Sequence, residues 1–163
     1  MPTLIVIRGP SGAGKSTVAR RLFSEASRPT ALVDLDHYRH MFRNQPSDGL
    51  RVEYDVARAA IEISIERGFD VIFDGNFRAL DGGNLPLPLF SFRGATTCAF
   101  YLDVSLAETL RRHARRSEQR LTVDEMKALY PYARPLEGYP ETVIREGSSL
   151  DETVRTIRRI AGV

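Results

Sequence analysis

Gly9-Pro10-Ser11-Gly12-Ala13-Gly14-Lys15-Ser16-Thr17 decides the reading of this chain. The stretch fits G-x-x-x-x-G-K-[ST], with Gly9, Gly14, Lys15 and Ser16 at the fixed positions. Each residue type has a physical reason to be there. A nucleoside triphosphate tail is densely anionic, and glycines let backbone N–H groups approach it with no Cβ in the way. A helix that follows points its positive end at the phosphates. The pattern assigns Lys15 to the β- and γ-phosphates and the Ser16 hydroxyl to Mg²⁺. It expects Gly9, Ser11, Gly12, Ala13, Gly14, Lys15, Ser16 and Thr17 to line the nucleotide site.

The flanks supply the context the pattern needs. Leu4-Ile5-Val6-Ile7 before it is a short apolar run, as a buried parallel strand requires. Val18, Ala19, Leu22 and Phe23 after it recur at helical spacing. A chance match in a chain of this length has odds on the order of one in a hundred from average residue usage, before this context is counted. Lys15 is one of only two lysines, beside many arginines.

The 163 residues read as one domain, 1–163, large enough for a real core. An apolar share of 42% with 27% charged residues is that of an ordinary globular protein. A net charge of +2 is too small to argue for nucleic acid by itself. The single Cys98 excludes an internal disulfide framework and fits a reducing compartment. Cys98 lies in the apolar run Cys98-Ala99-Phe100-Tyr101-Leu102, where a buried inert thiol is expected. With neither a signal-type leader nor an apolar run of membrane-spanning length, a soluble cytoplasmic protein with no membrane partner is expected. The sequence carries no signal of oligomeric state. His37, His40, His113 and Cys98 show no zinc spacing.

Four further strands follow the first. Thr30-Ala31-Leu32-Val33-Asp34 is the second, and it runs into Asp36-His37-Tyr38-Arg39. Ligands bind at the carboxyl ends of strands in open α/β sheets, so Asp36, near this strand's end, is taken as the carboxylate facing an acceptor, with Asp34 as the alternative base. The competing reading is a turn aspartate capping the next helix. Residues 43–49 read as a loop. Val52, Val56, Ala59, Ala60 and Ile63 then recur at helical spacing up to Gly68, leaving Arg51, Tyr54 and Arg58 on a solvated face or in an acceptor wall. The solvated face is the expected one. Asp70-Val71-Ile72-Phe73-Asp74 is the third strand, and an acidic residue ending such a strand acts on Mg²⁺ directly or through water. Residues 85–90 combine helix-like apolarity with Pro86 and Pro88, which predicts a short or irregular helix. Residues 96–102 form the fourth strand. Its following helix carries Arg111, Arg112, Arg115, Arg116 and Arg120, with Arg112 and Arg116 on one face. Either this is a solvated basic face or a lid that brings arginines to a phosphoryl group; the lid, over about 111–135, is preferred because a phosphate site needs cations beyond Lys15. Thr142-Val143-Ile144-Arg145 is the fifth strand. Ser149-Leu150-Asp151-Glu152 is a capping box opening a last helix with Val154, Ile157 and Ile160 inward.

With these residues in hand, the chain resembles the P-loop kinases of the group holding zeta toxins, chloramphenicol phosphotransferase and 5′-hydroxyl polynucleotide kinases. The likeness spans most of the chain. Asp36-His37-Tyr38-Arg39 is similar to the Asp-x-Tyr-Arg motif of polynucleotide kinases, which implies a general-base role for Asp36 and a phosphate-site or acceptor role for Arg39. Phe73-Asp74-Gly75-Asn76 resembles the end of the group's third strand. Arg112-His113-Ala114-Arg115-Arg116 resembles its lid, which implies Arg112 and Arg116 as lid arginines. The implied fold is an α/β three-layer P-loop NTPase domain with a five-stranded parallel sheet flanked by helices and an Arg-rich lid. Shikimate kinases are similar in the Asp-x-Asp pair and the lid, but Gly75-Asn76-Phe77-Arg78 replaces their triple-glycine turn, which weakens shikimate as acceptor.

The expectation is phosphoryl transfer from ATP and Mg²⁺ to a hydroxyl group, with Lys15, Asp36, Arg39, Arg112 and Arg116 as catalytic residues and Ser16 and Asp74 toward the metal. A small-molecule acceptor is expected first, because the domain is minimal and the net charge low. A polynucleotide 5′ end is the alternative enzyme substrate, with Arg39, Arg43, Arg51 and Arg78 as phosphate contacts. A nucleotide-dependent switch without an acceptor is the rival class. Against it, the chain has no Asn-Lys-x-Asp guanine-reading motif and carries both a candidate base and a candidate lid.

Overall fold

A computed structural model describes residues 1–43, 52–75, 92–115, 117 and 121–163. Among them the chain runs β1 (Thr3–Arg8), α1 (Lys15–Ser24), β2 (Thr30–Asp34), α2 (Leu35–Arg39), α3 (Val52–Glu66), β3 (Asp70–Asp74), β4 (Thr96–Asp103), α4 (Leu106–Ala114), α5 (Val123–Leu129), a 3₁₀ turn (Tyr130–Tyr132), β5 (Glu141–Arg145) and α6 (Leu150–Ala161). The stretch 85–90, nearly all of the loop at 43–49, and Arg51, Arg78, Arg116 and Arg120 lie outside the described residues.

The five strands form one parallel sheet in the order β2-β3-β1-β4-β5. Every residue of β1 is buried, because helices cover both faces of a central parallel strand. Alternation then divides the core in two. Leu4 and Val6 join Val33, Val71, Phe73 and the buried face of α3 on one side. Ile5 and Ile7 join Phe100, Ile144, α1 and α6 on the other. The result is the expected three-layer α/β architecture, with strand boundaries within a residue of the sequence reading.

Three faces differ from expectation. In α3 the buried stripe is Tyr54, Ala57, Ile61 and Ile65, together with Glu53, and not the Val52-Val56-Ala59-Ala60-Ile63 stripe. Both sets have helical spacing. The inner stripe brings a tyrosine and two isoleucines to the sheet, and at about 1.5–3 kcal/mol per fully buried large apolar side chain that set buries more. Tyr54 is therefore an inward residue, correcting its place on a solvated face. Phe23 and Ile160 lie at helix edges and are 44% and 40% exposed. The two ends of the chain's second half are capped as the rules predict. Ser149 and Glu152 form the expected capping box, and Thr122 and Glu125 form a second one that opens α5.

Glycine is required at the first turn. Gly9 has φ +149°, and a Cβ there would lie 2.8 Å from the Leu102 carbonyl oxygen. Gly12 has φ +87°, and its Cβ would lie 3.0 Å from the Thr109 carbonyl oxygen. The loop thus packs backbone to backbone against the end of β4 and the middle of α4.

The corrected α3 face has a direct test by denaturant unfolding. Ile61, at 0% exposure, should cost about 2–5 kcal/mol when replaced by Ala, and Ile63, at 58% exposure, no more than about 0.5 kcal/mol.

Candidate active site

The sheet order places the functional side chains. β1 lies between β3 and β4, so the loop after β1 emerges at the centre of the sheet's carboxyl edge. β2 and β3 are neighbours in register, with Asp34 opposite Asp74. Two acidic strand ends therefore stand side by side next to the glycine loop.

The loop is shaped by its own backbone. Gly14, with φ +98°, is the N-cap of α1, so Lys15 and Ser16 open the helix at its positive end. Lys15 Nζ donates to the carbonyls of Gly9 and Pro10, each at 3.1 Å, folding over the loop it belongs to. The Ser16 hydroxyl donates to Asp74. Burial pushes the Asp74 carboxyl above the usual carboxylate range; the Lys15 charge and the Ser16 hydrogen bond act in the opposite direction, and Asp34 and Asp36 push it further up.

Asp34 and Asp36 have separate work. The Asp34 carboxylate accepts from the Asp36 backbone N–H at 2.9 Å and caps α2. The capping role considered for Asp36 falls to Asp34, and the Asp36 side chain stays 50% exposed at the site. Arg39 Nη1 donates to Asp36 Oδ1 at 3.1 Å, and its Nη2 donates to the Tyr54 hydroxyl at 3.3 Å. The Arg39 guanidinium also lies 5.9 Å from the Tyr54 ring centre and 4.0 Å from the Glu53 carboxylate, which is almost fully buried. Sequence reasoning missed Glu53 and Tyr54 as the support behind Arg39. The signal was the Tyr54-Ala57-Ile61-Ile65 spacing, which competes with the outer stripe.

Arg112 reaches the loop from the other side. Its Nη1 donates to the Ala13 carbonyl at 2.8 Å and its Nε donates to Glu108 at 2.6 Å. Glu108 also accepts two hydrogen bonds from Arg111. These hydrogen bonds, from Arg111 first and Arg112 second, hold the Glu108 carboxyl down at about 2. Arg116 is outside the described residues.

Two cavities flank the loop. One, of about 330 Å³, is lined by Ser11, Lys15, Ser16, Asp36, Arg39 and Asp74, with Leu121 and Leu129 as its apolar wall. The other, of about 420 Å³, is lined by Ala13, Thr17, Arg112, Glu146 and Ser149 among others. Gly12 and Gly14 line both. Of the residues read from sequence, Asp36, Arg39, Asp74, Lys15 and Ser16 are brought together in the first cavity, while Arg112 and Thr17 stand in the second.

The donor set toward a metal is two hard oxygens, the Ser16 hydroxyl and the Asp74 carboxylate, in contact with each other. That suits Mg²⁺, which binds one or two protein oxygens and completes its shell with water and phosphate. Among the described residues no cluster of three or more His, Cys, Asp or Glu could hold a metal by protein groups alone. Nor, among them, is any helix long and apolar enough to cross a membrane.

Residues 4–131 match the AAA domain family. No curated protein matches the chain in sequence. Among solved structures, the tunicamycin resistance protein of Deinococcus radiodurans is similar with TM-score 0.74 and 17% identity, covering 100% of this chain and 97% of that one. The Mycobacterium tuberculosis APS kinase CysC, in complex with AMPPNP and APS, aligns with TM-score 0.71 and 18% identity over 99% of this chain and 98% of its own. A gluconokinase from Sinorhizobium meliloti aligns with TM-score 0.66 and 19% identity, over 99% and 94%. These likenesses establish the fold. On the match over residues 4–131 and these structural likenesses, the chain belongs to the AAA domain family and has the P-loop kinase fold.

Proposed function

We propose that this protein is an ATP-dependent phosphotransferase that moves the γ-phosphoryl group of ATP to a hydroxyl of a small-molecule acceptor. One observation carries the reading: two cavities meet at Gly12 and Gly14, one holding Asp36 and the other Arg112. That arrangement suits a donor and an acceptor approaching the same loop from opposite sides. A switch protein has no need for a separate cavity around a supported carboxylate.

In this reading the loop N–H groups and Lys15 hold the phosphate tail, and Lys15 exchanges its contacts with Gly9 and Pro10 for phosphate oxygens. Ser16 and Asp74 would hold Mg²⁺, which would supply charge neutralisation at the phosphate tail. The acceptor oxygen attacks the γ-phosphorus, the bond to the β–γ bridging oxygen breaks, ADP leaves, and the hydroxyl proton passes to Asp36. Arg39 holds Asp36 in place, and Tyr54 and Glu53 hold Arg39. Arg112 binds the donor from the Ala13 side of the loop. Arg116 is proposed as a second lid cation on resemblance alone. A cytoplasmic location follows from the reducing-compartment reading of Cys98.

A second reading, a polynucleotide 5′-hydroxyl kinase, rests on the Asp36-His37-Tyr38-Arg39 motif. The Pnkp1/Rnl/Hen1 RNA repair complex contains a structural neighbour with TM-score 0.63 and 19% identity, covering 81% of this chain and 44% of that one.

Three outcomes check these assignments. Purified protein with radiolabelled ATP and a panel of nucleosides, sugars, aminoglycosides and 5′-hydroxyl oligonucleotides should yield a phosphorylated small molecule. An oligonucleotide product, with affinity falling steeply between 50 and 200 mM salt, would select the second reading, and slow ATP hydrolysis with no product would select the switch. Asp36→Asn should lower turnover by about 10²–10⁴-fold while calorimetry finds ATP affinity changed by less than about twofold. Arg112→Ala should weaken ATP binding by about tenfold, equivalent to about 1.4 kcal/mol, with the acceptor KM unchanged.

A further inference from the structure

Arg8 and Glu141 are charged, buried and unused by the mechanism above. Arg8 ends β1, directly before Gly9, and Glu141 begins β5, two strands away. Arg8 Nη1 donates to both Glu141 carboxylate oxygens at 2.8 Å, and each side chain is only 2% exposed. The guanidinium lies 5.8 Å from the ring centre of Tyr101, its register partner on β4.

All three side chains hold the same piece of chain. Arg8 Nη2 donates to the Arg134 carbonyl at 3.3 Å. The Leu136 N–H donates to Glu141 Oε2 at 2.7 Å. The Tyr101 hydroxyl donates to the Ala133 carbonyl. Burial, offset in part by Arg8, pushes the Tyr101 phenol up to about 12. Residues 133–136 are thereby tied to β1, β4 and β5.

The same arm of chain forms a wall of the site. Upstream of this tie, the Tyr130 hydroxyl donates to the Val104 carbonyl at 3.0 Å. Met126 Cε would lie 3.3 Å from a Cβ at Gly12. Leu129 lines the cavity that contains Asp36 and also the narrow gap beside Pro10 and Ser11. The arm from α5 to β5 therefore leans on the phosphate loop at one end and is tied to the sheet at the other.

A buried ion pair is a poor device for stability, because apolar residues of similar volume in its place are often as stable or more so. What apolar residues cannot do is hold the Arg134 carbonyl and the Leu136 N–H at fixed points. We propose that Arg8 and Glu141 are positioning residues, whose pairing sets the place of the 126–136 arm and so of the Leu129 wall against which the acceptor is oriented. The proposal rests on the reading that the Asp36 cavity takes the acceptor.

The test is the full-length Arg8→Met/Glu141→Leu double variant, assayed with the panel compound that the unaltered protein phosphorylates fastest. Four quantities are measured: melting temperature, the Kd for magnesium–AMPPNP, kcat/KM for that compound, and hydrogen exchange at the amides of 126–136. The expected result is a melting temperature within about 4 °C, a Kd within about threefold, kcat/KM lower by about 10–100-fold, and exchange at Leu136 faster by about tenfold or more. Unchanged kcat/KM in a folded double variant overturns the proposal, as does a Kd that moves as far as kcat/KM, which would place the pair's effect on the donor loop. If the double variant shows no cooperative unfolding, Tyr101→Phe decides, since it keeps the ring and removes only the bond to Ala133; a roughly threefold fall in kcat/KM supports the proposal and no change overturns it. If the unaltered protein phosphorylates nothing in the panel, it is the kinase reading that fails. Exchange at 126–136 then still tests the tie: acceleration supports the placement of the arm by Arg8 and Glu141, and unchanged exchange overturns it.

Discussion

The close approach of three backbones at the first strand-to-helix turn is the constraint on which the site depends. Gly9 lies against Leu102 at the end of β4, and Gly12 lies against Thr109 in α4, at distances that leave no room for a side chain. The glycines do more than open a path for phosphate. Gly12 lets α4 settle on the loop, and Arg112 on that helix donates to the Ala13 carbonyl at 2.8 Å. A cation on a separate helix thus becomes part of the loop's surroundings through the missing Cβ of Gly12. A bulkier turn would hold α4 away and separate the loop from its second cavity.

Three carboxylates then stand near one lysine, and their surroundings give them different work. Asp74 is buried on β3, against Ser16, with its charge opposed by burial and supported by Lys15. Asp34 spends its carboxylate on capping α2. Asp36, one residue into that helix, is half exposed and held by Arg39. Residues with the same functional group are separated by a shift of two positions in sequence, because the chain changes from strand to helix between them. The difference between Asp34, which caps a helix, and Asp36, which stays half exposed and held by Arg39, is a consequence of where β2 ends.

The charged groups deeper in the molecule follow a different logic. Around Arg39 the order is carboxylate, guanidinium, phenol and a second, buried carboxylate, a chain of contacts running from the cavity into α3. Around Arg8 the order is guanidinium, carboxylate and backbone, running from the root of the phosphate loop to the segment before β5. In both, an arginine links a group at the cavity or the glycine loop to something in the scaffold. Planar guanidinium groups suit this, since several N–H donors in a fixed fork can hold two or three partners at once.

Local chemistry wrote much of this into the chain. The strand–loop–helix unit at 3–24, the four other strands, the capping box at Ser149 and the carboxylates at 34, 36 and 74 were all legible, because each depends on neighbours within a few residues. Periodicity could not choose between two helical stripes in α3, since both repeat correctly and only the sheet decides which one is buried. Nor could it pair Arg8 with Glu141 across 133 positions, or Arg39 with Tyr54, or seat Arg112 on Ala13. Sequence alone determined the five strands, the glycine loop between the first strand and helix, and the last helix with its cap. Tertiary structure decided which face turns inward and which charges meet, because burial and ion pairing are settled between segments that no short stretch of chain contains.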